Sequence, residues 1–566
     1  MKLSRITRSF TAIALSAALA AAMSVPVAAA RYADVAGRPD ETLIEAWSGA
    51  GVLTGAPAFM FGPEVFRPDD PLTRAELAES LYAIFRNKWT VRAENSFEDI
   101  YGTPAAKVSY KGVNAILHAA AADVVTGELT AMGRFVRPLA QVTREEAAVM
   151  LARSFGLAPD APLGAADSGA VARYAVPAVA AVIESGYMPV DASGSFNPRS
   201  GVTRAEILAV YDAMAADYPE LAAVKASDAA FEYTDISVGK SPIADSRFSA
   251  IDLSKGFVPE FATDDFTYAE NREKDISIRF YKPLDPTGHD PLMIYVFGGA
   301  WVLGDNSAVQ SQSFDLLEHC LRNGIAVASL SYSLSFEAAY PQPLHELKAQ
   351  IRYLRANAEE LGIDPDNFGV AGASAGGYWA NMLAVTGDSP EHEGELFGNE
   401  GVSSKLKWAL DMFGMGDMFT MFPEVDPYIQ GPGEATYMHD LPVAAEAMLF
   451  GLNRYKSGAY PAGVSMAELR GVNKSGDASH ELWSLVELVR SGSPIYNVDK
   501  DDPAFMIYHG TQDNLVPVYQ DIEFYSSLKN AGVPATILIA AYTGHELLHP
   551  KHELTIYDWV VEQAGK

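Results

Sequence analysis

The stretch Phe368-Gly369-Val370-Ala371-Gly372-Ala373-Ser374-Ala375-Gly376-Gly377 joins a short apolar run to a serine that glycines flank on both sides. Apolar residues continue through 378–383 and predict a helix after the turn. The G-x-S-x-G pattern is typical of a nucleophile elbow, where side chains larger than glycine would collide around the serine. An ordinary glycine-rich turn is the alternative. The strand–turn–helix setting favours the elbow, with Ser374 as a nucleophile.

Strand and helix patterns alternate on both sides of this turn. The predicted strands are apolar or alternating runs at 276–281, 292–297, 325–330, 368–371, 406–412, 504–508 and 536–540. An amphipathic stretch at 344–361 predicts a helix between two of them. The alternation predicts an α/β fold, in which a mostly parallel sheet has helices on both faces.

Two loops after Ser374 carry the acid and the base that such a nucleophile needs, in the chain order Ser, Asp, His of this fold. Asp513 follows the predicted strand at 504–508, and His545 follows the one at 536–540. Because both lie past the end of a strand, His545 can take the serine proton while Asp513 fixes its tautomer. The rival histidines are His509, predicted to be structural, and His549 and His552, where the final helix should begin.

A second glycine-containing loop, Phe297-Gly298-Gly299-Ala300-Trp301, ends an earlier predicted strand. Small residues in this position let backbone amides face a developing oxyanion. We expect the amides of Gly299 and Ala300 to donate to it, together with the amide of Ala375 after the nucleophile. An ordinary glycine turn is again the alternative.

Residues 265–566 together resemble the α/β-hydrolase superfamily, and more narrowly the bacterial esterase/lipase branch related to hormone-sensitive lipase and to acetylxylan and feruloyl esterases. The resemblance rests on 297–305, 362–366, the elbow and 509–517. It implies a carboxylic-ester hydrolase that works through an acyl-enzyme. The branch usually has His-Gly-Gly where this chain has Phe297. The family's histidine shapes the loop and does not attack substrate, so activity is expected to survive.

Two other functions stay open. A serine peptidase of the prolyl-oligopeptidase kind shares the elbow and the triad order, but it would usually bring a propeller domain that this sequence does not predict. A structural surface-layer protein could carry an inactive hydrolase fold, although all three triad positions are filled.

An insertion at 415–497 is rich in Met and aromatic residues and predicts either a lid or core packing; it contains Met418, Phe419, Met421, Phe422, Tyr428 and Tyr437.

The front half of the chain carries one signal three times: Thr73-Arg74-Ala75-Glu76, Thr143-Arg144-Glu145-Glu146 and Thr203-Arg204-Ala205-Glu206. Spacings of 70 and 60 residues indicate a repeated structural unit. Each copy follows an aromatic residue and a proline, namely Phe66 and Pro68, Phe135 and Pro138, and Phe196 and Pro198. An aspartate opens each repeat: Asp34, Asp99 and Asp167. The Thr and Glu have the spacing of a capping box, which leaves the arginine unexplained.

These repeats resemble S-layer homology domains over residues 31–218. The resemblance implies a helix-rich, three-fold pseudo-symmetric module that binds cell-wall polysaccharide. It also implies that Arg74, Arg144 and Arg204 line the grooves between repeats, where a guanidinium beside a helix N-terminus could grip a carboxylate. Trp47 has no tryptophan counterpart in the other repeats and Glu145 replaces an alanine, so one or two grooves are expected to be inactive. A purely structural prism is the alternative.

Composition limits the partners and the location of the protein. The 566 residues include 42 Lys and Arg against 72 Asp and Glu, a formal charge of −30, which repels nucleic acid and anionic membranes. Residues 1–30 combine a basic start, an apolar run and Ala28-Ala29-Ala30, the pattern of a cleaved secretory signal. A membrane anchor is the alternative, but the run is short for a span. After cleavage no transmembrane span is expected, and the predicted location is the cell surface or cell wall.

No metal-ligand spacing, phosphate-binding loop or dinucleotide fingerprint occurs in the sequence, so we expect no metal and no cofactor. The only cysteine, Cys320, is expected to be a buried small hydrophobe. Wall display and the esterase resemblance together favour acetyl or feruloyl esters of plant polysaccharide as substrate. The predicted domains are a signal peptide at 1–30, repeats at 31–90, 91–158 and 159–220, a linker at 221–264, and a hydrolase domain at 265–566.

Overall fold

The computed structural model describes residues 32–57, 64–103, 106–225, 231–244, 268–421, 445–461, 463–513, 515–546 and 550–565. The chain divides into two compact units, an N-terminal unit of residues 26–231 that also takes in 549–554, and a C-terminal unit of residues 232–548 and 555–566. The predicted signal peptide at 1–30 lies outside the described residues. No helix among the described residues has both the length and the apolar character that crossing a bilayer requires.

The N-terminal unit is built from helices and three short hairpins. Its helices are α1 (Glu41–Gly49), α2 (Arg74–Phe85), α3 (Tyr110–Ala121), α4 (Arg144–Phe155), α5 (Val176–Glu184), α6 (Arg204–Met214) and α7 (Pro219–Lys225). A 3₁₀ turn lies at Ser168–Ala170. The hairpins pair β1 (Ala56–Pro57) with β2 (Glu64–Val65), β3 (Gly102–Thr103) with β4 (Ala106–Lys107), and β5 (Glu128–Thr130) with β6 (Gly133–Phe135).

The three Thr-Arg signals each start a helix, as the sequence predicts. Thr73 and Thr143 form full capping boxes with the glutamates three residues later, because the side chain of each partner bonds the backbone amide of the other. Thr203 accepts a hydrogen bond from the backbone amide of Glu206, which is one half of the same arrangement. Helices α2, α4 and α6 therefore begin at equivalent positions of the three repeats.

The three helix starts meet in a closed ring of backbone hydrogen bonds. The amide of Leu72 donates to Val202 (2.8 Å), that of Val202 to Val142 (3.1 Å), and that of Val142 to Leu72 (2.9 Å). Each of these residues directly precedes the threonine of its repeat. The ring confirms the predicted three-fold pseudo-symmetry of the module.

The aspartate that opens each repeat fixes the segment before the proline. Asp34 accepts hydrogen bonds from the amides of Phe66 and Arg67, and Asp167 does the same for Phe196 and Asn197. In the second repeat the partners of Asp99 are the amides of Val136 and Arg137. Val136, and not the predicted Phe135, is thus the counterpart of Phe66 and Phe196, and all three are buried. The middle repeat has one more residue between its aromatic and its proline, which displaces the aromatic from the equivalent position.

The C-terminal unit contains one eight-stranded sheet. Its strands are β7 (Thr234–Ala244), β8 (Tyr268–Tyr281), β9 (Asp290–Val296), β10 (Ala326–Leu330), β11 (Ile363–Ala373), β12 (Trp408–Met412), β13 (Ala504–Gly510) and β14 (Ala535–Ala540). The order is β14-β13-β12-β11-β9-β10-β8-β7, with parallel pairing from β14 to β10 and antiparallel pairing of β8 and β7. Strands β9, β10 and β12 are buried along their whole length, which explains their continuous apolar runs.

Helices follow most of the parallel strands. They are α8 (Val309–Gln312), α9 (Phe314–Arg322), α10 (Gln342–Ala356), α11 (Ala358–Leu361), α12 (Ala375–Thr386), α13 (Pro390–Glu393), α14 (Ala445–Leu449), α15 (Met466–Ser475), α16 (Trp483–Ser491), α17 (Tyr519–Ala531) and α18 (Pro550–Gln563). Short 3₁₀ turns lie at Met418–Thr420, Leu452–Arg454 and Pro494–Tyr496. The mostly parallel sheet, its strand order and its helices are those of an α/β-hydrolase fold, as predicted.

Two details of the sheet domain differ from the sequence-based prediction. Strand β7 lies within 221–264, the segment predicted to be a linker, and pairs with β8. The sheet therefore begins before the predicted domain start at 265. The amphipathic stretch at 344–361 forms two helices, α10 and α11, which Asn357 separates.

The insertion at 415–497 packs its first residues into the interior. Met418, Phe419 and Met421 are buried, which favours core packing for this part of the segment. Phe422, Tyr428 and Tyr437 lie outside the described residues.

Cys320 is a buried free thiol whose Sγ lies 3.5 Å from the sulfur of Met293, and burial raises its pKa. It therefore behaves as a small hydrophobe, as expected.

Candidate active site

Ser374 occupies a strained turn between β11 and α12. Its φ is 58° and its ψ is −125°, a left-handed conformation that residues other than glycine rarely adopt. The amide of Ser374 donates to the carbonyl of Met412 on the neighbouring strand at 2.9 Å, which holds the turn to the sheet. The predicted strand–turn–helix setting of the elbow is therefore present.

The two glycines of the elbow are required by close main-chain approach. A Cβ at Gly372 would lie 2.1 Å from the carbonyl oxygen of Gly376. A Cβ at Gly376 would lie 2.1 Å from the carbonyl oxygen of Val296 on β9. Both atoms belong to backbone that is fixed by the sheet and the helix, so neither can move away from a larger residue.

Asp513 and His545 meet as the sequence predicts. Nδ1 of His545 lies 2.6 Å from Oδ2 of Asp513, and both side chains are largely buried. The other carboxylate oxygen of Asp513 accepts hydrogen bonds from the amides of Leu515 and Val516, each at 2.9 Å. The two loops are drawn together because β13 and β14 are parallel neighbours, and because the amide of Gln512 donates to the carbonyl of Thr543 at 2.8 Å.

The Asp513 carboxyl is held in its ionised form. Burial alone would raise its pKa, but the charges of His545 and His509 and their hydrogen bonds outweigh burial and leave the pKa well below the usual range. An ionised Asp513 keeps the proton of His545 on Nδ1 and leaves Nε2 free to act as a base.

Ser374 lies at the same edge of the sheet as this pair. It follows β11, and β11, β12, β13 and β14 are parallel in that order, so their carboxyl ends share one edge. The ring of His545 packs against Phe413, which follows β12, with 4.6 Å between ring centroids. Among the described residues no hydrogen bond joins the Ser374 hydroxyl to His545. Such bonds often tighten only when substrate is bound, and the role of the three residues as a triad stays a prediction.

The loop after β9 packs directly on the elbow. Gly299, Ala300 and Trp301 have φ values of 128°, 51° and 60°, so three consecutive residues have a left-handed backbone. A Cβ at Gly298 would lie 2.5 Å from the carbonyl oxygen of Ala373. Within the described part of the chain, the amides of Gly299 and Ala300 have no hydrogen-bond acceptor. That these two amides and the amide of Ala375, at the start of α12, bind an oxyanion stays a prediction.

Phe297 supports this loop where the resembling branch has a histidine. Its buried ring stacks on Tyr332 with 4.4 Å between centroids and 16° between ring planes. The hydroxyl of Tyr332 donates to the carbonyl of Phe297 at 3.2 Å. The stack and the hydrogen bond fix the start of the loop without an imidazole.

Behind Asp513 lies a buried chain of polar groups that the sequence did not reveal in full. His509, predicted to be structural, places Nδ1 2.7 Å from Oδ2 of Asp521 and Nε2 3.2 Å from Oδ2 of Asp513. Asp521 in turn interacts electrostatically with the buried Asp411 on β12. Asp411 is a lone acid inside an apolar strand, which is its one mark in the sequence, and Asp521 on α17 has no such mark.

The three repeat arginines lie at the contacts between repeats. Their guanidinium groups pair with capping-box glutamates of the next repeat: Arg74 with Glu146, Arg144 with Glu206, and Arg204 with Glu76. The exposed fractions of the arginine side chains fall from 22% for Arg74 to 14% for Arg144 and 8% for Arg204. The proposed contact with wall polysaccharide would therefore involve side chains that already hold the repeats together.

Glu145 and Trp47, the two departures from the resembling pattern, are both buried. The Glu145 carboxylate accepts a hydrogen bond from the amide of Ala172 at 2.9 Å and pairs with Arg199 at 2.6 Å. Trp47 packs beside Tyr211, with ring centroids 5.9 Å apart.

Among the described residues no group of three His, Cys, Asp or Glu side chains is placed to hold a metal ion.

Family comparisons agree with this division of the chain. Residues 31–78 and 166–208 match the model of the S-layer homology domain, residues 278–449 match the model described as BD-FAE, and residues 480–566 match the prolyl oligopeptidase family. The middle repeat, at 91–158, lies outside the matched segments, yet its helix also starts at a Thr-Arg capping signal. The chain thus carries S-layer homology segments followed by an α/β-hydrolase domain.

Individual relatives are ester hydrolases by name. The chain is 24% identical to the probable carboxylic ester hydrolase LipM of Mycobacterium tuberculosis over 272 residues, which is 48% of this chain and 52% of the relative. It is 25% identical to esterase LipC of the same organism, over 43% of this chain and 49% of the relative. The chain spans about half the length of these curated relatives. Among solved structures, a truncated carbohydrate esterase from gut microbiota is 27% identical with a TM-score of 0.40, covering 52% of this chain and 91% of that one.

Proposed function

We propose that the C-terminal unit is a serine-dependent carboxylic-ester hydrolase. The observation that carries the proposal is the 2.6 Å contact between His545 and Asp513 at the sheet edge where the strained elbow presents Ser374. The ester-hydrolase names of the relatives support the same reaction class.

The proposed reaction proceeds through an acyl-enzyme. The hydroxyl oxygen of Ser374 attacks the ester carbonyl carbon while Nε2 of His545 takes the hydroxyl proton. The carbonyl oxygen becomes an oxyanion, which the amides of Gly299, Ala300 and Ala375 stabilise. The carbon–oxygen bond to the alcohol then breaks, and His545 returns the proton to the leaving alcohol. Water, deprotonated by His545, hydrolyses the acyl-enzyme and regenerates Ser374.

The proposed substrates are small acyl esters, including acetyl or feruloyl groups on plant polysaccharide. The resemblance to acetylxylan and feruloyl esterases supports this class. The S-layer homology segments support a location on the cell surface, where such polymers are met. We propose that these segments bind cell-wall polysaccharide, with Arg74, Arg144 and Arg204 at the grooves.

The decisive experiment compares the full chain with its Ser374→Ala variant on 4-nitrophenyl acetate. Turnover should fall by about four orders of magnitude or more, since removal of a triad nucleophile leaves only the binding and oxyanion contributions. A fluorophosphonate probe should label the wild type at Ser374 and leave the variant unlabelled. Equal turnover in the two proteins would remove Ser374 from the mechanism.

A second candidate is a serine peptidase, because residues 480–566 match the prolyl oligopeptidase family. Peptides with an internal proline and a chromogenic amide distinguish the two. The ester hydrolase should leave them intact while it cleaves 4-nitrophenyl acetate. Rapid amide cleavage that depends on Ser374 would favour the peptidase, and an unlabelled Ser374 would favour an inactive structural protein.

A further inference from the structure

His509 lies at the centre of the buried polar chain behind the candidate active site. It belongs to the end of β13, and its side chain is fully buried. Nδ1 faces Oδ2 of Asp521 at 2.7 Å, while Nε2 faces the carbonyl oxygen of Val516 at 2.8 Å and Oδ2 of Asp513 at 3.2 Å. Asp513 thus has one oxygen between two imidazoles, those of His509 and His545.

The hydrogen-bond partners of His509 fit a proton on both ring nitrogens. A carbonyl oxygen only accepts, so Nε2 carries a proton, and an ionised Asp521 accepts a second one from Nδ1. The charges of Asp521 and Asp513 and their hydrogen bonds outweigh burial, which alone would lower the pKa of His509, and they raise it well above its ordinary value. The contacts and the raised pKa together favour a buried imidazolium at His509.

Two further acids complete the charge balance. Asp521, on α17, is fully buried and interacts electrostatically with Asp411 of β12. Burial raises the pKa of both carboxyls, and it raises that of Asp411 well above the usual range, with the charge of Asp521 as the next cause. The titratable groups that face His509 are thus Asp521 and Asp513, with Asp411 beyond the first and His545 beyond the second.

We propose that His509 is a positioning residue for the Asp513–His545 pair: as a buried cation anchored by Asp521, it orients the Asp513 carboxylate toward His545 and offsets part of its charge. The inference rests on the proposed hydrolase function and extends it to residues that contact no substrate. Because Asp513 stabilises the positive charge that forms on His545, a second cation beside Asp513 weakens that stabilisation. The chain behind Asp513 therefore sets the pH at which the enzyme becomes active.

The test replaces the buried ion pair by a neutral pair of similar shape, His509→Gln with Asp521→Asn. The double variant avoids leaving one buried charge without a partner. The control is His392→Gln, which removes another buried histidine of the same unit, one that is bonded to Ser389 and to the carbonyl of Ser491. All proteins are assayed as the full chain on 4-nitrophenyl acetate from pH 5 to 9, with rates normalised to fluorophosphonate-labelled Ser374.

The acid limb of the kcat/KM profile should move to higher pH by about half to one unit in the double variant. kcat should fall roughly 10-fold to 100-fold, while KM stays within about twofold because neither residue touches substrate. The control should keep the wild-type profile. An acid limb at the wild-type pH overturns the inference, even if kcat falls, because loss of packing alone lowers the rate without moving the limb.

A measurement that does not depend on enzymatic activity separates this inference from the proposed function. Nitrogen-15 NMR of histidine-labelled protein shows whether each imidazole carries one proton or two, and the signals that vanish in His509→Gln belong to His509. We expect both ring nitrogens of His509 to stay protonated at pH 8. A singly protonated His509 at pH 7 overturns the inference, whereas a wild type that fails to cleave any ester overturns only the proposed function.

Discussion

Backbone strain occurs in the elbow and in the loop after β9, at residues close to the proposed chemistry. Ser374, Ala300 and Trp301 all have φ between 51° and 60°. Non-glycine residues in this region cost on the order of 1–3 kcal/mol each and persist only where the surroundings hold them. Here the amide of Ser374 is bonded to Met412, and the amide of Ser335 is bonded to the carbonyl of Trp301. The strained residues are the proposed nucleophile and part of the proposed oxyanion loop.

Replacing Asp513 by Asn should lower kcat on 4-nitrophenyl acetate by about 10³-fold to 10⁴-fold. The amide retains the shape of the carboxylate, but its NH₂ group can donate to Nδ1 of His545 and stabilise the wrong tautomer. Asp501→Asn is the matched control, because that carboxylate is 70% exposed on the same unit. A variant that keeps more than a tenth of the wild-type kcat would contradict the role given to Asp513.

The pH dependence of kcat/KM should show a single ionisation on its acid side. The pKa of Asp513 is well below the ordinary value of about 3.9, so its stabilising contribution is present above about pH 4 and is lost only as the pH falls further. Asp513 therefore stays ionised throughout an assay from pH 5 to 9. A logarithmic plot of kcat/KM should fall with a slope of one on its acid limb, and a slope of two would contradict this assignment.

The sequence indicated the proposed catalytic residues better than the residues that support them. Ser374, Asp513 and His545 each follow a recognisable strand, so their shared edge could be predicted. Asp411 and Asp521 could not be assigned, because their partners are set by the pairing of strands and the packing of α17. The buried ion pair of His509 and Asp521 leaves little trace in the sequence, because its two members lie on different elements, β13 and α17.

At the scale of elements, the buried parallel strands were predictable and the edge strand β7 was not. The runs that became β9, β10 and β12 are apolar throughout because both faces of the sheet are covered. Strand β7 lies at the edge and contains Gly239 and Pro242, so its sequence resembles a linker. The helix starts of the repeats were predictable because the capping box is a local signal.

The elbow glycine Gly376 should tolerate substitution far less well than a glycine elsewhere in a helix. Gly376→Ala places a Cβ 2.1 Å from the carbonyl oxygen of Val296, so we expect a loss of about 1–3 kcal/mol or more and no labelling of Ser374. Gly471→Ala is the matched control, because no atom lies within 4 Å of a Cβ at that position in α15. The control should be slightly more stable than wild type. Thermal unfolding and fluorophosphonate labelling measure both effects, and normal labelling of Gly376→Ala would refute the argument.

The arginine–glutamate pairs should differ in strength from groove to groove. Arg204 is the most buried, and its guanidinium also donates to the carbonyls of Phe66 (2.7 Å) and Thr54 (2.6 Å). Arg204→Ala should therefore cost at least about 2 kcal/mol. Arg74 is more exposed and makes one further contact, at 3.3 Å to Arg137, so Arg74→Ala should cost about 1 kcal/mol or less.

Hydrogen exchange of the full chain measures this difference locally. Peptides from α2 and α6 should lose protection in Arg204→Ala, whereas Arg74→Ala should change exchange little. An equal loss of protection in both variants would show that burial does not rank the stability of these two arginine–glutamate contacts.

At the scale of the whole molecule, binding and catalysis are assigned to separate units of the chain. The proposed wall contact depends on residues before Phe231 and the proposed hydrolysis on residues after Glu232. Ser374→Ala should therefore sediment with purified cell walls as the wild type does, although it cleaves no ester. Walls stripped of polysaccharide by acid are the control and should bind neither protein. Loss of sedimentation in Ser374→Ala would show that the two properties are not independent.

The ring formed by Leu72, Val142 and Val202 constrains how such a module can change in evolution. Each repeat gives one amide to one neighbour and one carbonyl to the other, so three copies satisfy every group and none is terminal. Loss of one copy would leave an amide and a carbonyl facing the interior without partners, and a fourth copy could not enter without opening the circle. Gene duplications that alter this number are therefore penalised at once, and only whole triplets can be gained or lost together.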